Sequence, residues 1–279
     1  MKTPRLLLAL ALLAGLSVPA TAQGTLDHIM ESGTVTVGTE AAFPPFEFVE
    51  DGEIVGYGKD ILDVVVAEMG VELEQLDLPW QGILPGVLAG KFDFVATTVS
   101  INEERAKRYA YTIPIANGQP YIMKRKGDDS ITSLEDLVGK NVGTQLASST
   151  EPIAKAQNEA LVAEFGDGFG ELKLYTAFPD TYVALANGEI DAVMQSLPNL
   201  AVLVKERPEL FELVVPVEAG DKWTYMAWVT RPEDIELRDF ISGVIKTMRD
   251  DGRLYELQDK WFGFQMEIPD EGYLPEGSF

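Results

Sequence analysis

The chain has 279 residues, no cysteine, 46% hydrophobic residues and a formal net charge of −23. The absence of cysteine excludes disulfide bonds, thiolate metal sites, a cysteine nucleophile and a lipid-modified cysteine anchor. A chain this acidic is a poor partner for nucleic acid or anionic lipid, and its hydrophobic fraction is too high for a disordered protein.

The N-terminus has the organisation of a secretory signal peptide. A basic start precedes an apolar run over 6–18, and Ala20 and Ala22 offer small residues for cleavage. The apolar run is shorter than the roughly 20 residues that a membrane-spanning helix needs. We therefore expect 1–22 to be a signal peptide, cleaved after Ala22, that delivers a free protein to the periplasm. An uncleaved membrane anchor is the alternative.

Strand-like and helix-like segments alternate along the mature chain, which is typical of α/β architecture. The first series comprises a strand at 34–39, a loop at 41–57, a helix at 60–69, a strand at 71–78, a short helix at 83–88 and a strand at 92–98. This βαβαβ order predicts parallel strands.

A second series follows the turn-rich stretch 126–130. It comprises a strand at 141–145, a helix at 153–165, a strand at 172–176, a helix ending at Ala186 and a strand at 191–195. Two α/β lobes are therefore expected. Late helices at 237–248 and 254–261 must pack on one of them, and 265–279 is predicted to be an irregular tail.

Catalytic constellations are hard to find in this sequence. His28 is the only histidine and lies beside the predicted start of the mature fold, so neither a histidine triad nor a zinc site is predicted. Ser148 and Ser149 lack the setting of a hydrolase nucleophile elbow. Carboxylate acid–base catalysis stays open, because 45 acidic residues offer many pairs and the sequence singles out none. No catalytic residue, metal or cofactor is predicted.

Arg105 stands in an electrostatically unfavourable place. Asn102 is suited to cap a helix N-terminus, where Glu103 and Glu104 suit the positive helix end but a cation does not. A bound anion would relieve the conflict, so Arg105 is a candidate ligand anchor. The alternative is an exposed arginine paired with a surface carboxylate.

Further pocket candidates precede Arg105 along the chain. Thr97, Thr98 and Ser100 lie at a predicted strand end, where ligands meet α/β sheets. Phe43, beside a proline pair, and Trp80, at a predicted helix start, are candidate aromatic walls. Ordinary core packing is the alternative for both aromatic residues.

Motifs spread along the mature chain resemble those of bacterial extracellular solute-binding proteins of family 3, the polar amino-acid binders of ABC importers. The matching segments are Gly38-Thr39-Glu40-Ala41-Ala42-Phe43-Pro44-Pro45-Phe46-Glu47-Phe48, Gly56-Tyr57, Trp80-Gln81-Gly82-Ile83-Leu84-Pro85, Gly90-Lys91-Phe92-Asp93, the segment 100–105, Ser133-Leu134-Glu135-Asp136-Leu137, Gly139-Lys140-Asn141-Val142-Gly143, Leu185-Ala186-Asn187-Gly188, Asp191-Ala192 and Asp259-Lys260-Trp261-Phe262-Gly263. Each segment alone is weak, but together they span most of the mature chain.

The resemblance implies the type II periplasmic binding protein fold, in which two α/β lobes are joined by a two-strand hinge. Lobe 1 would comprise 25–117 and 223–264, lobe 2 would comprise 118–222, and 265–279 would form the tail. Ligand would bind in the cleft between the lobes and drive their closure.

The resemblance also implies roles for individual residues. Arg105 would grip the ligand α-carboxylate, since a guanidinium presents paired donors, with help from Thr98, Ser100 and the Ser148–Ser149 turn.

Ser196 departs from the family pattern. Five residues beyond the aspartate of Asp191-Ala192, such proteins usually carry an aspartate that pairs with the ligand ammonium, and here the residue is Ser196. Helix capping ahead of Pro198 is its structural alternative. Glu40 matches a position that often carries an acidic residue facing the cleft, so either it supplies the missing charge or the ligand lacks a primary ammonium.

The function implied is capture of an amino acid or an amino-acid-like carboxylate, without catalysis, for delivery to an ABC transporter membrane permease. The alternative is a periplasmic enzyme on the same scaffold. Cyclohexadienyl dehydratases resemble this family and use cleft carboxylates as acids, a role for which Glu40 or Glu151 would be candidates.

Overall fold

Two β-sheets flanked by helices form the two lobes of the molecule. The computed structural model describes residues 24–218 and 224–279. The predicted signal peptide with its cleavage site lies outside the described residues, and so does the predicted lobe boundary at 222/223.

The described strands and helices follow one another in a largely alternating order. The strands are β1 (Thr34–Thr39), β2 (Ala42–Phe43), β3 (Glu47–Glu50), β4 (Glu53–Val55), β5 (Glu72–Asp77), β6 (Phe94–Ser100), β7 (Ala110–Tyr111), β8 (Ala116–Asn117), β9 (Pro120–Arg125), β10 (Asn141–Gln145), β11 (Glu171–Tyr175), β12 (Ala192–Ser196), β13 (Phe211–Pro216) and β14 (Tyr225–Thr230). The helices are α1 (Thr25–Ser32), α2 (Tyr57–Met69), α3 (Trp80–Leu88), α4 (Glu103–Ala106), α5 (Thr150–Phe165), α6 (Phe178–Ala186), α7 (Leu197–Glu206), α8 (Ile235–Asp250) and α9 (Arg253–Trp261).

The first sheet has the order β5-β1-β6-β14-β7, with β8 also paired to β14. β1 is parallel to both β5 and β6, as the βαβαβ pattern predicts. β14 is antiparallel to β6, because it enters the sheet when the chain returns from the second lobe.

The second sheet repeats this plan in the order β11-β10-β12-β9-β13. β10 is parallel to β11 and β12, whereas β9 is antiparallel to β12. The chain passes from the first sheet to the second between β8 and β9, and back between β13 and β14. The two-lobed α/β architecture predicted from the sequence is therefore confirmed.

The stretch 41–57, predicted to be a loop, instead forms the small antiparallel sheet β2-β3-β4 and the first residue of α2. Asp51 and Gly52 both have positive φ, 52° and 87°, as a tight two-residue hairpin turn requires. Phe43 and Phe46 are buried in the first lobe, so the sheet is anchored by its aromatic side chains.

Helices α2 and α3 begin earlier than their apolar periodicity predicts, at Tyr57 and Trp80. Both first residues are aromatic and buried, so tertiary packing extends each helix toward its N-terminus. The other predicted elements agree with the structure to within about three residues, the usual variation at element ends.

The stretch 265–279 contains no helix or strand, but it packs on the first lobe. Met266 is buried against the core that contains α2, α8 and α9, and Leu274 contacts the core on the opposite sheet face. Arg249 donates from Nη1 to the Pro269 carbonyl at 3.3 Å and pairs with Asp270. The C-terminal segment is therefore part of the folded lobe.

Candidate functional site

A cavity lies between the two lobes, where parallel strands of both sheets end. Glu40 follows β1, Ser100 ends β6, Gln145 ends β10 and Ser196 ends β12. Carboxyl ends of strands are where α/β sheets present backbone and side-chain groups to ligands. The cavity is lined by Glu40, Phe43, Trp80, Thr98, Ser100, Arg105, Gly118, Gln145, Ser148, Ser149, Thr150, Phe178, Gln195, Ser196 and Met226.

Arg105 lies in this cavity on the short helix α4. Asn102 caps α4, and its Oδ1 accepts a hydrogen bond from the Arg105 backbone N–H at 2.9 Å. The guanidinium donates to the Ser100 carbonyl at 3.4 Å and the Ala147 carbonyl at 3.1 Å, and lies 5.3 Å from the Trp80 ring centre. Within residues 24–218 and 224–279, no carboxylate forms a salt bridge with Arg105, so the surface ion pair is not observed.

The electrostatic state of Arg105 follows from this setting. Burial lowers its pKa, although the neighbouring Tyr111, Tyr109 and Glu104 oppose the shift. Arginine nevertheless stays charged in proteins. The cavity thus contains a half-buried cation that is satisfied in part by neutral carbonyl groups, which favours the entry of an anion.

The turn between β10 and α5 brings the second lobe against Arg105. Ala147 adopts a positive φ of 61°, and its carbonyl also accepts the indole N–H of Trp80 at 2.9 Å. Ser149 donates from Oγ to Ser100 Oγ at 2.9 Å across the cleft. The Ser148–Ser149 turn and Arg105, which are far apart in sequence, therefore line one cavity.

Glu40 is buried at the cavity wall, with 5% of its surface exposed. Its Oε1 accepts a hydrogen bond from Gln145 Nε2 of the other lobe at 2.5 Å. Burial raises the pKa of Glu40 to about 7, against the lowering effect of the Gln145 hydrogen bond, and the charge of Asp77 raises it further. No salt bridge joins Glu40 to a cation in the described part of the chain.

Ser196 occupies the N-cap position of α7, as its capping alternative requires, but its side chain accepts no backbone N–H there. Instead its hydroxyl donates to Asn199 Oδ1. Asn199 in turn donates from Nδ2 to the Pro44 carbonyl of the first lobe at 2.7 Å. The Ser196 proton is therefore engaged within the protein, whereas the hydroxyl oxygen keeps lone pairs that face the cavity.

Aromatic side chains wall the cavity from both lobes. Phe43 and Phe178 lie 5.7 Å apart between ring centres, and Trp80 is the first residue of α3. All three are buried. The two aromatic residues selected from the sequence thus line the cavity, and Phe178 is a third wall that sequence reasoning missed.

Thr97 is the one sequence-selected site residue that the cavity lining excludes. Its hydroxyl donates to Glu47 Oε2 at 3.0 Å, away from the cleft. Alternate side chains of a strand point to opposite faces, so Thr98 and Ser100 face the cavity while Thr97 does not. Burial raises the pKa of Glu47 well above its usual range.

Two glutamines that line the cavity were missed by the sequence analysis. Gln145 ends β10 and Gln195 is the penultimate residue of β12, the adjacent parallel strand of the second sheet. Their shared position near strand ends was a usable signal, because Gln195 immediately precedes Ser196 and Gln145 lies three residues before Ser148, and both serines were selected as candidates.

Two other residues considered from the sequence lie outside the cavity. Glu151 accepts from the Ala147 backbone N–H at 2.6 Å and pairs with Lys155 at 2.5 Å. Burial acts to raise its pKa, but the hydrogen bonds from Lys155 and Ala147 outweigh it and leave the pKa lowered. His28 is exposed on α1, and the described residues contain no cluster suited to a metal ion.

The family model for bacterial extracellular solute-binding proteins, family 3, matches residues 35–264. The chain belongs to this family. The prediction made from its dispersed motifs is confirmed, and the molecule is a solute-binding protein with the two-lobed fold.

Relatives and solved structures agree with this membership. The L-cystine-binding protein TcyJ of Escherichia coli (strain K12) is 29% identical over 92% of this chain and 93% of its own. An ancestral arginine-binding protein bound to arginine has a TM-score of 0.73 at 33% identity, covering 83% of this chain and 99% of its own. The ancestral amino acid-binding protein AncCDT-1, a precursor of cyclohexadienyl dehydratase, has a TM-score of 0.75 at 28% identity, covering 85% and 99%.

None of the helices within the described ranges has both the length and the apolar character needed to cross a bilayer.

Proposed function

We propose that this protein is the periplasmic solute-binding component of an ABC importer and captures an amino acid, or an amino-acid-like carboxylate, by closure of its lobes. The observation that carries the proposal is Arg105, a cation in the interlobe cavity that has no carboxylate partner among the described residues. The names of proteins similar to this chain support an amino-acid ligand and a membrane permease as its partners.

The carboxylate of the ligand binds at the Arg105 end of the cavity. Thr98 Oγ1 is buried there without a hydrogen-bond partner in the described structure, which leaves a hydroxyl donor for the ligand. Ser100 and Ser149 flank it on opposite lobes. A carboxylate held by both lobes stabilises their closed arrangement, because opening would expose the pair to water and separate its donors.

The ammonium of the ligand binds at the Glu40 end. Glu40 supplies a carboxyl that an adjacent cation would ionise, since an opposite charge favours the charged form. The Ser196 hydroxyl, whose proton is engaged by Asn199, supplies a neutral acceptor. Together they replace the aspartate that the family pattern places at position 196.

The lobe boundaries belong to the same proposal. Lobe 1 comprises 25–117 and 223–264, lobe 2 comprises 118–222, and the hinge is formed by the two crossings between the sheets. The sheet membership of β8, β9, β13 and β14 supports these limits. Export with cleavage after Ala22 completes the proposal, and mass spectrometry of protein from the periplasm tests it, because an intact 1–23 segment would contradict cleavage.

An enzyme on this scaffold is the second candidate, and Glu40 is the observation that favours it. A carboxyl with a pKa of about 7 is suited to general acid catalysis, and one structural neighbour is a dehydratase precursor. We propose binding without catalysis, because Glu151, the other acid considered, lies outside the cavity. Purified protein incubated with prephenate or arogenate, with the product followed by absorbance, should show no turnover.

The direct test is titration calorimetry of the mature protein against amino acids, their betaines, opines and small carboxylates. Wild-type protein should bind at least one amino-acid-like carboxylate, and a thermal-shift assay should show stabilisation by the same compound, since a ligand that binds only the native state raises its stability. Failure of every α-carboxylate compound to bind folded protein would overturn the proposal.

A further inference from the structure

The charge of the cavity limits the charge of its ligand. Arg105 and Glu40 are the only residues with ionisable charged side chains among the described residues that line it. A zwitterionic amino acid uses both, its carboxylate at Arg105 and its ammonium at Glu40. A further charge on the ligand side chain would be buried without a partner, which costs far more than an unpaired neutral group.

Gln195 presents a hydrogen-bond donor to the same cavity that Glu40 lines. The residue is 1% exposed, and its Nε2 is buried without a partner in the described structure. The hydroxyl of Tyr182, on α6, donates to Gln195 Oε1. Burial raises the pKa of Tyr182, opposed by that hydrogen bond and reinforced by the charge of Glu40, so the phenol keeps its proton and remains a donor.

This hydrogen bond fixes the orientation of the amide. With Oε1 engaged by Tyr182, the NH₂ group of Gln195 is left without an acceptor among the described residues. An unpaired buried donor is costly, so a ligand that supplies an oxygen acceptor is favoured over an apolar ligand of the same shape. A cationic ligand side chain would lie against the Gln195 NH₂ group. The described lining contains no second carboxylate to pair with it.

We infer, building on the proposed function, that the cavity selects a zwitterionic amino acid with an uncharged side chain bearing an oxygen acceptor, an amide or a hydroxyl, and that Gln195 is the specificity-determining donor. This ligand class excludes arginine, the ligand in one of the similar solved structures.

The wild-type protein is tested with near-isosteric pairs of amino acids by titration calorimetry. Asparagine is compared with leucine, threonine with valine, and glutamine with norleucine, and lysine and arginine are included. In at least one pair the polar member should bind about tenfold or more tightly than its apolar partner, because only the polar member satisfies Gln195. Tightest binding by lysine, arginine or an apolar amino acid would overturn the inference.

Two substitutions then test Gln195 itself. Gln195→Leu removes the donor and should reduce the preference for the polar member to about threefold or less, while both members still bind. Gln195→Glu replaces the donor by a carboxyl and should raise the affinity for lysine relative to the polar amino acid by about tenfold. Gln157→Leu, on α5 and outside the cavity lining, is the matched control and should leave all preferences unchanged.

The outcomes separate the two proposals. Amino acids that bind both Gln195 variants with wild-type preferences would overturn the role of Gln195 and leave the proposed function standing. If folded wild-type protein bound another α-carboxylate compound but no amino acid, only the present inference would fail; if it bound no α-carboxylate compound at all, both proposals would fail. Circular dichroism of each variant at the titration temperature distinguishes lost selectivity from lost folding.

Discussion

At the scale of single residues, the unusual feature of this protein is a pair of opposite charges held apart in one cavity. Glu40 is buried and Arg105 is half-buried, and neither has an ionic partner among the described residues. Each therefore carries a desolvation cost that a ligand of opposite local charge relieves.

Arg105→Ala should abolish most of the affinity and leave the fold intact. Loss of a charge-assisted contact to a buried carboxylate costs roughly 2 to 5 kcal/mol, or at least about thirtyfold in the dissociation constant. Arg105→Lys should recover only part of the loss, because an ammonium lacks the paired donor geometry. Titration calorimetry with the ligand found for the wild type provides the measurement. Binding by Arg105→Ala within about threefold of wild type would place the anchor elsewhere.

Glu40 lowers the stability of the folded protein and provides a carboxyl group for the ligand ammonium. Its pKa is raised from an ordinary value of 4.5 to about 7. Between these values the unfolded chain has released the proton and the folded protein has not, so the stability contribution of this group falls as pH rises. The full penalty, reached above the folded-state pKa, is about 3 kcal/mol.

Glu40→Gln should therefore stabilise the unliganded protein at pH 8 by up to about 3 kcal/mol and have little effect at pH 4. The same substitution should weaken ligand binding at pH 8, because it removes the partner of the ammonium. Urea unfolding at both pH values and calorimetry at pH 8 provide the measurements. Glu159→Gln, exposed on α5, is the control. Equal stability of Glu40→Gln and wild type at pH 8 would contradict the raised pKa of Glu40.

At the scale of elements, two short segments position the anchor. Helix α4 has only four residues, and the capping bond from Asn102 holds the backbone of Arg105. The β10–α5 turn places the Ala147 carbonyl on the guanidinium by adopting a positive φ, which is unfavourable for alanine. Local backbone geometry on each lobe, rather than packing in the hydrophobic core, thus orients the Arg105 side chain.

Asn102→Ala should cost about 1 kcal/mol of stability through loss of the cap. It should also weaken ligand binding about threefold to tenfold, because a frayed α4 no longer holds Arg105 in place. Asn102→Asp keeps a capping oxygen and should retain most of the stability and affinity. Thermal unfolding and calorimetry of both variants are compared with wild type. A stability loss with unchanged affinity would show that α4 does not position Arg105.

At the scale of the whole molecule, the described arrangement is a closed one. Contacts that join the lobes include Gln81 Nε2 to the Leu146 and Thr176 carbonyls, at 3.3 Å and 3.1 Å, and the Asn199 to Pro44 hydrogen bond. Polar contacts of this kind can be exchanged for water when the cleft opens, whereas the apolar contact of Phe178 with the core of the first lobe would be lost.

Ligand should therefore compact the protein in solution. Small-angle scattering of the mature wild-type protein with a saturating ligand should give a smaller radius of gyration than without it. Arg105→Ala at the same ligand concentration should show no compaction, because it is left largely unliganded. A confirmed ligand that leaves the wild-type radius unchanged would contradict closure as the binding mechanism.

The sequence by itself determined the class of the fold and the family. Apolar periodicity identified the parallel strands of both sheets, since alternation and helical spacing are local properties of the chain. The dispersed motifs identified the family correctly. The unfavourable position of the Arg105 charge near a helix N-terminus could also be predicted from the local sequence, because Asn102 and Arg105 are only three residues apart.

Tertiary structure decided which residues share the cavity. Thr97 and Thr98 are adjacent and chemically alike, yet only Thr98 faces the cleft, because the pairing of β6 in its sheet sets the orientation of its alternate side chains. Gln145 becomes a partner of Glu40 only when the two lobes meet, and Gln195 becomes a partner of Tyr182 only when α6 packs beside β12 within the second lobe. The raised pKa of Glu40 likewise follows from burial between lobes, a long-range property that no local pattern in the chain encodes.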